Sequence, residues 1–151
     1  MKWVTWENVG VDRMGCAWLI KRFIDPAAEF QFIAPDQKTL PADAEAFDIP
    51  GVRLSHYRGH CSFHTILREY GLKDSVLDAI ARIVDEADMV QAVSVEPAAY
   101  GLDMICQGIR LTSPDDQTAL ERGYLIYEAL YAQLGANTSP PPGPPFSRPT
   151  S

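Results

Sequence analysis

The chain has 151 residues, 46% of them hydrophobic, which is enough for one domain with a core of its own. Its 13 basic and 20 acidic residues give a net charge of −7, which disfavours nucleic acid and anionic membranes as partners. No stretch approaches the roughly 18 consecutive apolar residues of a membrane span, and the first residues lack the pattern of a secretory signal. We therefore expect a cytoplasmic protein with no membrane segment.

The first third of the chain contains most of the expected strands. β-Branched, aromatic and alternating apolar residues predict strands at 2–7, 28–34 and 47–56. Between the first two strands, residues 12–24 carry apolar side chains at helical spacing, with Asp12 placed to cap the start. This segment is expected to form an amphipathic helix.

From residue 61 onward the apolar periodicity becomes helical and remains so. It predicts further helices at residues 63–70, 75–90, 97–111 and 113–134, with Ser62 as a possible cap of the first. Asp74 is placed to cap the second of these, and Pro97 stands at the first position of the third. Residues 135–151 are rich in proline and have no periodicity, which is typical of a disordered tail. The sequence therefore predicts an α+β domain over residues 1–134, with a small N-terminal sheet packed against four or five helices.

One segment, "LSHYRGHCSFHTIL" at residues 54–67, contains all three histidines and one of the three cysteines. Imidazole and thiolate are good ligands for transition metals. His56 falls on the same face of the expected strand as Val52 and Leu54, so it should point inward, whereas His60 in a turn should point to water. A metal site here would use His56, Cys61 and His64, completed by a carboxylate such as Asp48, Asp85 or Asp88. The alternative is a polar pocket mouth or ordinary surface histidines.

The cysteines are widely spaced and form no C-x-x-C motif, which is typical of reduced thiols. Cys61 immediately precedes an expected helix start, where the helix dipole favours a reactive thiolate. Its alternative role is that of a small buried hydrophobic residue. Cys16 and Cys106 lie on apolar helical stripes and are expected in the core.

Arginines form a third group of candidate site residues. Arg13 opens the first helix, and Arg53 and Arg58 flank His56. Guanidinium groups near a helix N-terminus suit a tetrahedral dianion. The alternative is that Arg13 pairs with a carboxylate such as Asp48 and stabilises the fold.

The patterns V-D-R-x-x-C-x-W-L-I-x-R-F-I-D-P and D-I-P-G-V…S-H…C-x-F resemble the C-terminal domain of the chromate-resistance family ChrB and its free-standing relatives. The likeness extends over residues 2–134, through "LDAIARIVDEADM" and "GYLIYEALYA". Where relatives usually carry an acidic residue this chain has His64, and where a histidine is common it has Asp85. The family's larger members also carry an N-terminal domain associated with regulation. The resemblance implies site roles for eight residues: Asp12, Arg13, Cys16, Trp18, Asp48, His56, Cys61 and Phe63.

Three hypotheses about function follow. The first is a small binding or sensor domain for chromate, or for a metal ion generated from it, within a stress response. The second is a metal-dependent enzyme, redox-active in oxidative defence, and the third is an interaction module with a vestigial pocket. A transition metal ion of unspecified identity is the expected cofactor, a small inorganic anion or a metal ion the expected partner, and homodimerisation is left open. The expected substrate-binding residues are Asp12, Arg13, Trp18, Arg53 and Phe63, and the expected metal ligands are His56, Cys61, His64 and Asp48.

Overall fold

A computed structural model describes residues 1–89 and 93–138 of the chain. The described residues form three strands and five α-helices, which confirms the predicted α+β fold. The strands are β1 (Lys2–Trp6), β2 (Glu29–Ile33) and β3 (Ala44–Ala46). The helices are α1 (Val11–Leu19), α2 (Ser62–Glu69), α3 (Ser75–Asp88), α4 (Pro97–Thr112) and α5 (Asp116–Thr138). None of these helices is both long enough and apolar enough to cross a membrane.

The sheet is parallel, with β1 in the centre and the strand order β2-β1-β3. Lys2 of β1 is in register with Glu29 of β2 and with Ala44 of β3. Two neighbouring parallel strands need a long crossover connection, and α1 supplies it between β1 and β2. A π-helical segment, Ile20–Ile24, continues α1 before the chain returns to the sheet.

Helix α1 lies at the centre of the molecule. Eight of its nine residues are buried, and it contacts all four other helices. The helix predicted for residues 12–24 is thus present, and neighbouring helices cover it on several sides. As a consequence, the polar residue Asp12 lies in the protein interior, where it is 2% exposed.

The segment 47–56 is not a strand, contrary to the prediction. It contains only an isolated bridge between Phe47 and Leu54, and the third strand lies earlier, between the predicted strands at 28–34 and 47–56. Asp48 and Gly51 adopt left-handed backbone angles, with φ of 51° and 89°, which turn the chain back on itself. His56 is therefore presented by a loop, and the alternation argument for its direction does not apply.

The helix ends agree with the sequence in two cases and differ in two. The Asp74 side chain caps α3 by accepting a 2.8 Å hydrogen bond from the Val76 N–H, and Pro97 occupies the first turn of α4. Asp12 does not cap α1, whose N-cap is Gly10 without a side-chain hydrogen bond. Helix α5 extends to Thr138, four residues past the expected end of the domain at 134. The rest of the predicted tail, 139–151, lies outside the described residues.

Candidate functional site

The Asp12 carboxylate links α1 to the start of α2. It accepts hydrogen bonds from the backbone N–H groups of Ser62 (2.9 Å) and Phe63 (3.0 Å). The first N–H groups of a helix have no partner within the helix, and their dipoles favour a negative charge. Asp12 therefore caps α2 from another helix, and this contact fixes the position of α2 relative to α1.

Asp48 lies beside this cap on the loop that follows β3. Its Oδ1 accepts a 2.6 Å hydrogen bond from the Ser62 hydroxyl, and its Oδ2 lies 3.0 Å from Nε of Arg13. The Nη2 of Arg13 donates to the backbone carbonyl of Asp48 at 3.0 Å. These contacts hold a buried carboxylate in a left-handed backbone conformation that is uncommon outside glycine. Arg13 therefore pairs with Asp48, which is the structural alternative considered for it from the sequence.

His56 completes the group and is its most exposed member. Its Nδ1 lies 3.5 Å from Oδ1 of Asp48, and its Nε2 lies 3.8 Å from Oδ2 of Asp12 and 2.9 Å from Oδ2 of Asp88. One possible ligand atom from each of Asp12, Asp48 and His56 lies within 4.8 Å of the other two. Asp48 and His56 also line a cavity of about 330 Å³, with Trp6 as an aromatic wall. We call Asp12, Asp48 and His56 the acidic triad.

Burial and mutual repulsion raise the proton affinity of the triad. Burial, together with the charges of Asp48 and Asp88, raises the pKa of Asp12 to about 8. Burial also raises the pKa of Asp48, although Arg13 opposes this effect. For His56, burial acts to lower the pKa, but the hydrogen bond to Asp88 and the surrounding carboxylates outweigh it and the pKa is raised. The triad therefore tends to hold protons near neutral pH, and a bound metal cation would displace them.

The other two histidines are not part of this group. The rings of His60 and His64 stack on each other with centroids 3.8 Å apart. His60 Nδ1 lies 2.8 Å from Oδ2 of Asp85. The structure thus separates His64 from His56, with which it was expected to share a metal, and gives His60 a carboxylate partner although its side chain is 45% exposed.

Cys61 lies next to the triad but as a buried thiol. It is 0% exposed, and its backbone N–H donates to Oδ1 of Asp85. Burial and the nearby charges of Asp12 and Asp85 raise the pKa of Cys61 far above its ordinary value. These effects favour the neutral thiol over the thiolate expected at a helix start. Cys16 is also buried, and its Sγ lies 3.5 Å from Oδ1 of Asp12.

The side chains of the remaining predicted site residues have other partners. Trp18 and Phe63 are 1% and 0% exposed and stack in the core with ring centroids 6.4 Å apart. Arg53 is bound by two carboxylates, Glu45 at 2.6 Å and Glu69 at 2.9 Å. The structure therefore brings together Asp12, Arg13, Asp48 and His56.

Two neighbours of the site were missed from the sequence. Ser62 had been assigned only as a possible helix cap, yet its hydroxyl binds Asp48 and lies 3.2 Å from Nδ1 of His56. Trp6 had been assigned only to a strand. No spacing in the sequence signals either role, because both depend on how distant segments fold together.

The comparisons with known proteins agree with the resemblance seen in the sequence. The family model described as ChrB, C-terminal domain, matches residues 3–134. The curated Protein ChrB of Cupriavidus metallidurans (strain ATCC 43123 / DSM 2839 / NBRC 102507 / CH34) is 32% identical over 136 residues, which cover 89% of this chain and 41% of that protein. The chain thus spans about two fifths of the length of this relative. No solved structure matches the chain significantly. The chain belongs to the ChrB C-terminal domain family.

Proposed function

We propose that this domain binds a divalent transition metal ion through Asp12, Asp48 and His56. The observation that carries the proposal is the convergence of two buried carboxylates and one imidazole, with ligand atoms within 4.8 Å of one another. Buried carboxylates are costly unless they are paired or coordinate a metal. Arg13 compensates only part of this charge, because Asp12 and Asp88 remain close to His56.

The donor set indicates the class of metal. Carboxylate oxygens together with one imidazole suit Mn²⁺, Fe²⁺ or Zn²⁺, and the absence of a thiolate from the triad disfavours Cu⁺. The hydrogen bond between Asp88 and His56 resembles the carboxylate–histidine pairs that orient metal-binding imidazoles. Three protein ligands leave coordination positions for water or a substrate on the side of the cavity.

Membership of the ChrB family supports a role of this metal site in chromate resistance. An oxyanion site at Arg13 and Arg53 is a weaker candidate, because carboxylates already bind both guanidinium groups. The cavity beside Asp48 and His56 favours, as a second candidate function, a metal-dependent enzyme whose substrate reaches the ion from that side.

Metal binding by matched variants of the untagged protein tests the proposal. Metal-depleted wild-type protein titrated with Mn²⁺, Fe²⁺ (without oxygen) or Zn²⁺ should bind one ion per chain. His56→Ala should weaken binding at least roughly tenfold, since it removes one of three ligands from a loop without disturbing the core. His60→Ala, in the same segment, is the control and should bind normally.

Two results would overturn the metal site. One is wild-type affinity in His56→Ala with its circular dichroism spectrum unchanged. The other is loss of binding in His60→Ala, which would place the ion at the stacked histidines.

A further inference from the structure

A second polar pocket lies where the turn before α2 meets the exposed side of that helix. Its volume is about 230 Å³. It is lined by Tyr57, Arg58, His60, His64, Thr65, Arg68 and Glu69. We call it the basic pocket.

The two arginines of the basic pocket differ from those that carboxylates hold in ion pairs. Examples of such pairs are Arg13–Asp48, Arg22–Glu128 and Arg53–Glu45. Within residues 1–89 and 93–138, neither Arg58 nor Arg68 forms an ion pair with a carboxylate. The carboxylate in the lining, Glu69, binds Nη1 of Arg53 at 2.9 Å. The pocket therefore presents two guanidinium groups that form no ion pair with a carboxylate among the described residues.

A tight turn holds Arg58 at the edge of the pocket. The backbone N–H and carbonyl groups of Tyr57 and His60 bond to each other at 3.0 Å in both directions. Arg58 and Gly59 between them have φ of 50° and 80°, the pair of positive angles that a type I′ turn requires. The Arg58 guanidinium lies over the Tyr57 ring, 5.2 Å from its centroid. The cationic group is thus positioned without the help of an acidic side chain.

The stacked histidines form another side of the pocket. Asp85 engages Nδ1 of His60, which leaves Nε2 of that ring for another partner. Burial lowers the pKa of His64 and His60 lowers it further, while Asp85 opposes this effect and Arg68 contributes less than Asp85. The neutral form of the His64 ring is therefore favoured. Two guanidinium groups beside these rings disfavour a metal cation and favour an anion.

We propose that the basic pocket binds a tetrahedral oxyanion carrying two negative charges, with Arg58 and Arg68 as its principal donors. Guanidinium forks match the oxygens of such an ion, and the Tyr57 hydroxyl adds a further donor in the same pocket. This site is distinct from the acidic triad and does not depend on the metal proposed there. The sequence led us to expect anion binding at Arg13 and Arg53. The present proposal assigns it instead to Arg58 and Arg68, which form no ion pair among the described residues.

Calorimetric titration of metal-depleted protein in chloride buffer tests this site. Sulfate and chromate, which share shape and charge, should bind at one saturable site, and the planar monoanion nitrate should not. Arg68→Gln should weaken both dianions at least roughly tenfold, since a charged hydrogen bond is lost, while Arg68→Lys should retain part of the affinity. Arg68 is exposed, so these variants should fold normally.

Two controls separate this proposal from the metal site. Arg110→Gln removes an arginine of α4 that does not line the pocket, and His56→Ala removes a member of the acidic triad. Both should bind sulfate as the wild type does. Wild-type affinity in Arg68→Gln, or an absence of saturable binding to the wild type, would refute the basic pocket. Binding that disappears in His56→Ala would instead assign the anion to the triad.

Discussion

Asp12 shows how one residue can serve the fold and the candidate site together. Its two oxygens cap α2 through Ser62 and Phe63, and the same carboxylate lies 3.8 Å from His56. A carboxylate oxygen has more than one lone pair, so capping does not exhaust its capacity to bind a cation. Because removal of Asp12 would also uncap α2, His56 is the better position at which to test metal binding.

The cysteines give a prediction at the scale of single residues. All three are buried, and burial raises the pKa of each, to about 12 for Cys106. Since the thiolate is the reactive form, no cysteine of the native protein should react with Ellman's reagent at pH 8 within the time that a free thiol needs. All three should react after unfolding in guanidinium chloride. The opposite result would be rapid release of one equivalent of thionitrobenzoate from the native protein, absent in Cys61→Ser. It would show that Cys61 is an activated thiol.

At the scale of elements, α1 and α5 form the most extensive helix pairing among the described residues. Tyr127 of α5 is 0% exposed and donates a 2.6 Å hydrogen bond to the Val11 carbonyl of α1. A Cβ atom on Gly15 would lie 2.8 Å from the Tyr127 hydroxyl oxygen and 2.9 Å from its Cζ. Gly15 is therefore required for the two helices to approach closely, and this approach holds α1, with Asp12 and Arg13, in place.

The substitution Gly15→Ala should destabilise the protein by about 1–3 kcal/mol, because the fixed tyrosine ring cannot move away from the new methyl group. Urea denaturation followed by circular dichroism measures the change. Gly101→Ala in α4 is the matched control, since nothing lies within 4 Å of the added atom. It should be neutral or stabilise by up to about 1 kcal/mol through helix propensity. Equal stability of the two variants would show that α1 and α5 are packed less tightly than described.

At the scale of the whole molecule, two differently charged regions lie on either side of the start of α2. The acidic triad places two carboxyl groups close to His56, and the basic pocket presents Arg58 and Arg68. Of the triad, only His56 belongs to the segment 54–67, whereas Arg58, His60 and His64 of the basic pocket all belong to it. The histidines of "LSHYRGHCSFHTIL" therefore have different surroundings: His56 belongs to the triad, and His60 and His64 stack on each other in the basic pocket.

Removal of residues 139–151 should leave the melting temperature and both proposed binding activities unchanged. The proline-rich sequence of this segment has no apolar periodicity with which to contribute to a core. Differential scanning calorimetry of the chain ending at Thr138, compared with the full chain, measures the effect. A loss of several degrees would mean that the segment stabilises the domain.

The sequence by itself determined the class of fold, the family and most of the helices. Periodicity located α2 to α5, and local chemistry identified the caps at Asp74 and Pro97, because such signals act within a few residues. The strand expected at 47–56 does not form, although the segment contains β-branched residues. The left-handed backbone of Asp48 and the turn at Pro50-Gly51 interrupt the extended conformation. The parallel order of the sheet was not predicted, since strand pairing joins residues far apart in the chain.

Only the tertiary structure decided which polar residues meet. Asp12 accepts hydrogen bonds from Ser62 and Phe63, which lie 50 and 51 residues further along the chain. This contact forms because α1 is buried among the other helices. The same folding pairs Arg13 with Asp48 and leaves Arg68 without an ion pair among the described residues. Charge and residue type indicated metal and anion chemistry in one short segment. Their division between two sites depends on side-chain directions and long-range contacts that no local pattern specifies.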